Sequence, residues 1–247
     1  MSVPLFWSGL DAWDPPLAQV LQALAPHVSA FVDVGANVGI VSLVVAGCNP
    51  VAEVHAFEPV PLIRERLLHN LKLNGADRVH VHGQAVGAHE SSALINVPLQ
   101  DFPSDASMLS RTWVETHPVR VDVTTLDAFA RTANLTSVQV IKIDTEGTEH
   151  EVIEGGAWLV GRDRPVIIAE VLHRLPAEQK LGPLLAGLGY RAWHMTPLGL
   201  RPVEVVTGDP LYRDLNYLFI HSEKSVEVLA DLRKSIPVLS RSRDREV

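Results

Sequence analysis

Short apolar runs alternate with longer segments of helical periodicity along most of the chain. The apolar runs predict strands over residues 30–35, 52–57, 78–82, 138–143 and 165–171. The segments between them predict helices over residues 38–46, 60–73, 147–154 and 177–187. Strands that alternate with helices in this way are typical of βαβ units. The pattern therefore predicts an α/β fold with a mostly parallel sheet and helices on both faces.

The rest of the chain is expected to complete a single domain over residues 1–247. Residues 1–28 predict an N-terminal helical segment, residues 30–221 the core with a last strand over 212–221, and residues 222–247 a C-terminal helix and charged tail. Within the core, strand-like pieces between residues 83 and 125 flank a polar stretch that has neither helical nor strand periodicity. A long loop of this kind in a compact domain is often functional.

Charge and composition exclude several classes of function. The formal net charge is −8, so the basic surface that drives nucleic-acid binding is not expected. A single cysteine, Cys48, excludes an internal disulfide and suits a reducing cytoplasm. The N-terminus lacks the pattern of a secretory signal, and the apolar run over residues 29–47 contains Asp33, Asn37 and three glycines. We interpret that run as strand, turn and helix, so no membrane partner is expected.

A glycine-containing turn after the first predicted strand carries the first candidate binding motif, Asp33-Val-Gly-Ala-Asn-Val-Gly39. Glycines there let the backbone approach a ligand, and the following helix offers free N–H groups at its N-terminus. The dinucleotide fingerprint G-x-G-x-x-G is incomplete, because Asn37 stands between Gly35 and Gly39. An acidic residue two positions before the first glycine also fits a ligand that bears an ammonium group. A tight turn without a ligand is the alternative.

A carboxylate follows the second predicted strand, in the segment Phe57-Glu58-Pro59. An acidic side chain at this place in a doubly wound sheet accepts hydrogen bonds from the hydroxyls of a ribose, whereas an acid that favours a helix N-terminus is the simpler reading. A nicotinamide-dependent oxidoreductase would share both motifs, but the chain has no Tyr-x-x-x-Lys set for hydride transfer. A non-catalytic binding module would lose the acidic residues, which are present here.

A third, acid-rich segment leaves the fourth predicted strand and enters a helix, with the sequence IKIDTEGTEHEVIEGG over residues 141–156. Its Asp144 stands at the mouth of an apolar strand, where a merely solvated side chain is not expected. Together with DVGANVG, FEPVP, the VTTLD stretch at 123–127 and PVIIAEV, in that order, the segment resembles the FkbM family of methyltransferases. The resemblance covers residues 30–171 approximately.

This resemblance implies a Rossmann-like class I methyltransferase fold, with a mostly parallel seven-stranded sheet whose last strand is antiparallel. It also implies S-adenosylmethionine as cofactor and O-methylation of a hydroxyl on a small natural product or sugar. The residues that it assigns to the methionine end of the cofactor are Asp33, Gly35, Asn37 and Gly39. It assigns Glu58, next to Pro59, to the ribose, Gln84 and Ala85 to the adenine, and Asp144 to the junction with the acceptor. Ser107 in the polar loop matches a serine common in related sequences.

Methyl transfer from a sulfonium to oxygen needs alignment of the two reactants and a base for the acceptor proton. The candidate bases are Asp144, His150 on the following helix, and His173 after the fifth strand. Asp144, Glu170 and His173 also follow adjacent strands, so a Mg²⁺ site is an alternative to the metal-independent reaction that we prefer. The expected partner is a small-molecule acceptor, and a homo-oligomer is left open.

An N-methyltransferase that acts on a small molecule or a peptide is the main alternative function. The segment Asp14-Pro15-Pro16-Leu17 resembles the D-P-P-aromatic motif of amino-methyltransferases, but a leucine replaces the aromatic residue. We therefore interpret Asp14 as the cap of a helix that the two prolines initiate.

Overall fold

The computed structural model describes residues 13–98 and 116–236. Its helices are α1 (Pro15–Leu24), α2 (Ile40–Cys48), α3 (Pro61–Leu73), α4 (Leu126–Thr132), α5 (Glu149–Glu154), α6 (Ala157–Asp163), α7 (Pro176–Gly187) and α8 (Ser225–Ser235), with a 3-10 turn at Ala25–His27. Its strands are β1 (Ala30–Val34), β2 (Glu53–Phe57), β3 (Val79–His82), β4 (Ala85–Val86), β5 (Ser91–Pro98), β6 (Thr116–Thr124), β7 (Val140–Ile143), β8 (Val166–Glu170), β9 (Tyr190–Thr196), β10 (Gly199–Val203) and β11 (Asn216–His221).

The main sheet has eight strands in the order β10-β9-β11-β8-β7-β1-β2-β3. The five strands from β8 to β3 are parallel, and β11 joins β8 in antiparallel pairing. The predicted α/β fold with a mostly parallel sheet is thus confirmed. The predicted number of seven strands was one too few, because the chain turns back after β9 at Pro197-Leu198-Gly199 and adds β10 as a hairpin partner.

Helices cover both faces of the main sheet, as predicted. Residues of α1, α2, α3 and α8 form one apolar cluster with alternate residues of the strands. The other strand residues pack against α4, α5, α6 and α7 in a second cluster. In β7, for example, Val140 belongs to the first cluster and Ile141 to the second. This alternation follows from the two-residue period of a strand, and it decides which side chains share a face.

The strand-like pieces predicted between residues 83 and 125 form a small second sheet, in the order β4-β6-β5. Val97 of β5 packs against Val60 and Ile63, which lie at the start of α3. Val38, in the turn after β1, also contacts this cluster. The small sheet therefore lies against the two turns that follow β1 and β2.

The predicted boundaries agree with the described strands and helices to within a few residues, and helix α1 begins as the sequence indicated. Asp14 caps α1 by accepting a hydrogen bond from the N–H of Leu17 at 3.0 Å, and Pro15 and Pro16 form its first turn. Across residues 13–98 and 116–236, no helix is both long and apolar enough to cross a membrane.

Candidate active site

The strand order places a crevice at the carboxyl ends of β1 and β7. From β1 the chain continues through α2 on one face of the sheet, and from β7 it continues through α5 on the other face. Such a switch point is where open α/β sheets bind ligands. Asp33 and Asp144 lie on either side of it, Glu58 follows the neighbouring strand β2, and Glu170 ends β8. The structure thus brings four of the predicted site residues to one edge of the sheet.

The turn after β1 is shaped by three residues with a positive φ angle, which are Gly35 (79°), Asn37 (51°) and Gly39 (91°). The N–H of Gly35 donates to the carbonyl oxygen of Phe57 at 3.1 Å, which joins the turn to the end of β2. A Cβ atom on Gly35 would lie 1.8 Å from the backbone oxygen of Asp144. Only glycine therefore allows the turn after β1 to touch the end of β7.

Glu58 joins two turns of the site through its carboxylate. Its Oε2 accepts the N–H of Asn37 at 3.0 Å, and its Oε1 accepts the N–H of Val60 at 2.9 Å. Burial raises the pKa of Glu58, while these two N–H groups act against the rise. The carboxylate is fixed where the ends of β1 and β2 meet, which is the position that the ribose assignment requires.

Asp33 lies deeper than its assignment to the cofactor suggested. It is 1% exposed, and its Oδ2 accepts the hydroxyl of Ser42 on α2 at 2.6 Å. Burial raises the pKa of Asp33 to about 6, against the lowering effects of Ser42 and Lys142. Its side chain connects β1 to α2, and it acts on the crevice mainly through its charge.

Asp144 is half-buried at this edge, and it has an unexpected partner. Its side chain is 40% exposed, and its Oδ2 lies 3.4 Å from the Nζ of Lys142, a side chain only 2% exposed. Lys142 also donates to the carbonyl oxygen of Ile143 at 3.3 Å, so it points towards the carboxyl edge. Sequence reasoning missed Lys142, although a lysine inside the apolar strand Val140–Ile143 was a visible signal.

Two further carboxyl groups surround Asp144. Oxygens of Asp144, Glu146 and Glu170 lie within 4.8 Å of one another. Burial and the nearby Asp144 raise the pKa of Glu170 to about 9. Burial also raises the pKa of Glu146, with Asp144 and Glu149 adding to the rise. Burial would raise the pKa of Asp144 as well, but Lys142 and a hydrogen bond with Glu170 hold it below its ordinary value. Asp144 is therefore ionised at neutral pH, whereas Glu170 is protonated.

The loop that carries Glu146 is held by Glu149 at the start of α5. Oε1 of Glu149 accepts hydrogen bonds from the N–H of Thr145 at 2.9 Å and from the N–H of Gly147 at 3.1 Å. Glu146 has a φ of 59°, which is uncommon for a residue with a side chain. Glu149 is an acid in the first turn of α5, and it also shapes this loop.

The two candidate histidines do not lie at the site. His150 on α5 is 2% exposed, and its Nε2 lies 3.3 Å from the Nζ of Lys180, so its ring faces α7. The Nδ1 of His173 pairs with Oε1 of Glu178 at 3.1 Å. The predicted metal set of Asp144, Glu170 and His173 is therefore wrong in its third member, because the chain turns His173 towards α7 and Glu146 takes that place.

The remaining assigned residues surround the end of β3. Gln84 is exposed in the turn after β3, and Ala85 is half-buried at the start of β4. Arg64, which the sequence did not single out, donates through Nη1 to the carbonyl oxygens of Glu58 at 3.1 Å and Pro59 at 3.0 Å. It therefore stabilises the backbone after β2. Ser107 lies outside the described residues.

A cavity of about 160 Å³ lies beside the carboxyl cluster, between the start of α1 and the segment before β11. Its lining includes Trp13, Asp14, Arg213 and Asn216. Asn216 pairs in register with Glu170, so one lining residue of the cavity is a strand neighbour of the carboxyl cluster. Nδ2 of Asn216 donates to Asp14 at 2.8 Å, but its buried Oδ1 has no hydrogen-bond partner. An unpaired buried oxygen in a cavity wall suits a ligand that donates a hydrogen bond.

Comparisons with known proteins agree with this geometry. The family model described as "Methyltransferase FkbM domain" matches residues 33–192. "Methyltransferase 1" of Beauveria bassiana (strain ARSEF 2860) is 28% identical over 148 residues, which are 53% of this chain and 59% of that protein. A crystal structure of methyltransferase FkbM from Methylobacillus flagellatus KT has a TM-score of 0.52 at 20% identity, covering 77% of this chain and 43% of that chain. The chain thus matches less than two thirds of either relative's length, and the structural likeness shows a shared fold.

Proposed function

The chain belongs to the FkbM family of methyltransferases, and we propose that it transfers a methyl group from S-adenosylmethionine to a hydroxyl oxygen of a small natural product or sugar. The observation that carries this proposal is the charge of the crevice between β1 and β7. Asp33, Asp144 and Glu146 lie there with one ammonium group, that of Lys142. The crevice is negative, so it favours a cationic ligand.

The residues fit S-adenosylmethionine better than a dinucleotide. This cofactor carries positive charge on its sulfonium and its ammonium group, which negative side chains attract. The pyrophosphate of a dinucleotide is anionic, and the carboxylates around Asp144 would repel it. Glu58 would hold the ribose hydroxyls, and the turn from Gly35 to Gly39 would receive the methionine end. Gln84 and Ala85 are near enough to the end of β3 to border the adenine.

The bound cofactor supplies an activated methyl group on sulfur. The hydroxyl hydrogen of the acceptor would be shared between Glu146 and Asp144, which is ionised and 40% exposed and orients the hydroxyl oxygen towards the crevice. Glu146 takes the proton, since its raised pKa makes it a better base than Asp144. Alignment by the two carboxylates and proton removal by one of them are the contributions that this chain makes to an in-line displacement.

The cavity beside the cluster is our proposed acceptor site. Its unpaired Asn216 oxygen accepts one hydrogen bond from the ligand, and Trp13 offers an apolar surface. A sugar ring presents hydroxyl donors and an apolar C–H face, which match these two features. The cavity thus favours a small hydroxylated ring over an extended polymer.

Calorimetric titration tests the cofactor first. We expect micromolar binding of S-adenosylmethionine and S-adenosylhomocysteine and no binding of NAD⁺. Glu58→Gln keeps the size of the side chain but loses one oxygen acceptor, so we expect the affinity for both sulfur nucleosides to fall by about tenfold. Glu65→Gln on the exposed side of α3 is the matched control and should bind as the wild type does.

The acceptor is tested with radiolabelled S-adenosylmethionine and a panel of methyl glycosides, simple phenols and primary amines. Label in the glycosides that falls by about tenfold in Trp13→Ala, at unchanged cofactor affinity, would support the cavity as the acceptor site. Label found only in the amines would replace our proposal with nitrogen methylation. Binding of NAD⁺ in place of the sulfur nucleosides would disprove the proposed function altogether.

A further inference from the structure

Lys142 is a buried cation in the middle of the main sheet. The residue is 1% exposed, and its register partner on β1 is Asp33. On β8 its partner is Ile168, and Glu170 follows two residues later on the same face. The acidic side chains around Lys142 therefore come from several elements, which are Asp33 on β1, Asp144 after β7 and Glu170 on β8. The charge of Lys142 also acts to lower the pKa of Asp14, at the start of α1, against the rise that burial causes.

A lysine at such a place is costly unless it is paired. Burial alone disfavours the ammonium form, but Asp144, Glu170 and Asp33 more than offset this, and the pKa of Lys142 lies above its ordinary value. Its ammonium group contacts Oδ2 of Asp144 at 3.4 Å and the carbonyl oxygen of Ile143 at 3.3 Å. The side chain is thus a fixed positive charge directed at the carboxyl edge.

The carboxyl cluster of Asp144, Glu146 and Glu170 has the spacing of a cation site, with oxygens within 4.8 Å of one another. Oxygen ligands of this type bind Mg²⁺ or Mn²⁺ when no other cation balances them. Here the ammonium of Lys142 already lies 3.4 Å from an oxygen of the central member. A divalent ion bound to the same oxygen would be repelled by it. The residues therefore do not fit the magnesium alternative.

We propose that the ammonium group of Lys142 is the built-in cation of this site, which holds the Asp144 carboxylate in position and takes the role that a divalent ion has in other carboxyl clusters. Lys142 is then a positioning residue, because it acts on the acceptor through Asp144. The inference rests on the proposed function only for what Asp144 does to an acceptor. The balance of charge in the cluster is independent of it.

The test is a titration with Mn²⁺, followed by the paramagnetic resonance signal of the free ion at pH 7.5. Lys142→Met keeps an unbranched side chain, shorter by one atom, and removes its charge. We expect this variant to bind one Mn²⁺ at least about 20-fold more tightly than the wild type, since the carboxylates lose their cation. In Lys142→Met with Asp144→Asn the added affinity should disappear, and Lys142→Arg, which keeps a cation, should behave as the wild type.

The wild-type titration decides the question even if Lys142→Met does not fold. Micromolar binding of one Mn²⁺ by the wild type, lost in Asp144→Asn, would overturn the proposal, because ammonium and metal would then share the site. A folded Lys142→Met that gains no affinity would also overturn it. Calorimetry with S-adenosylhomocysteine on the same samples separates the two proposals: a wild type that binds neither ligand contradicts the proposed function and leaves the inference on Lys142 intact.

Discussion

Two regions of the sheet bury titratable side chains. In one of them acidic and basic side chains pair, and in the other burial keeps the side chains neutral. At the carboxyl edge, Lys142 lies among Asp33, Asp144 and Glu170, so opposite charges offset each other. His55 on β2 and His82 on β3 lie on one face of the sheet with Phe57 and with Phe129 of α4. Glu53 contacts His55 at 3.2 Å, but within the part of the chain that the structure describes no carboxylate balances His82. We call this second group the histidine layer. Burial there favours the neutral rings.

The geometry of the histidine layer is that of aromatic packing. The rings of His82 and Phe57 stack with centroids 4.6 Å apart, and Phe129 meets His82 edge-on at 4.9 Å. Nδ1 of His55 and Nε2 of His82 share a hydrogen bond at 3.2 Å. Burial and the neighbouring His55 lower the pKa of His82 to about 4. Buried titratable groups therefore indicate a chemical role where an opposite charge keeps one of them ionised and accessible, as Lys142 does for Asp144.

The largest expected effect comes from removing both carboxyl partners of Lys142. In Asp144→Asn alone, Glu170 can release its proton and pair with the ammonium, so the free energy of unfolding should fall by only about 1 kcal/mol. In Asp144→Asn with Glu170→Gln this substitute is gone, and we expect a fall of about 3 kcal/mol. Urea denaturation at pH 7 measures both values.

The control for this cycle is Asp77→Asn with Glu65→Gln, two isosteric changes at exposed positions. Each should alter the free energy of unfolding by less than about 0.5 kcal/mol, and together they should be additive. If the changes at Asp144 and Glu170 were also additive, the carboxyl edge would be no more coupled than the surface, and the contrast with the histidine layer would fail.

Sequence patterns predicted the site at the level of strand ends. Asp33, Glu58 and Asp144 were found because each stands where an apolar run stops, and parallel strands bring such places together. No strand was predicted over β9 or β10, and the residues of β10, Gly199–Val203, include a proline. The wrong assignment of His173 to the metal set has a different cause, because position after a strand does not say which way a side chain turns.

Lys142 is the clearest example of a site residue whose role cannot be predicted from the sequence alone. Its position inside an apolar strand was visible, but its meaning depends on Asp33 and Glu170, which are distant in sequence and adjacent in register. Asn216 is a similar case, since its Nδ2 donates to Asp14 while its Oδ1 is left without a hydrogen-bond partner. Charge balance and unpaired atoms are properties of contacts between strands, so they appear only with the fold.

The next largest effect is acid destabilisation of the histidine layer. The folded pKa of His82 is about 4 and the ordinary value is 6.5, so its contribution to stability is complete above about pH 6.5 and is lost as the pH falls towards 4. Between pH 7 and pH 5 we expect the wild type to lose about 2 kcal/mol of unfolding free energy relative to His82→Phe, because the other titrating groups contribute equally to both proteins. His69→Gln on α3, at an exposed position, should keep the wild-type slope. Equal slopes in all three proteins would remove the histidine layer from the comparison.

The smallest effect is expected at the carboxyl edge, where burial favours the neutral form of Glu170 as it does that of His82. Burial and Asp144 raise the pKa of Glu170 to about 9 from 4.5, so its contribution to stability is complete below about pH 4.5 and is lost as the pH rises towards 9. Glu170→Gln imitates the protonated form and cannot ionise when the chain unfolds. We therefore expect the variant to match the wild type below about pH 4.5 and to exceed its free energy of unfolding by about 1 kcal/mol at pH 5.5, with a difference that grows at higher pH. A variant that loses stability at both pH values would mean that Glu170 is ionised in the folded protein. Two carboxylates, Glu170 and Asp144, would then pair with Lys142, and the assignment of Glu170 as neutral would be wrong.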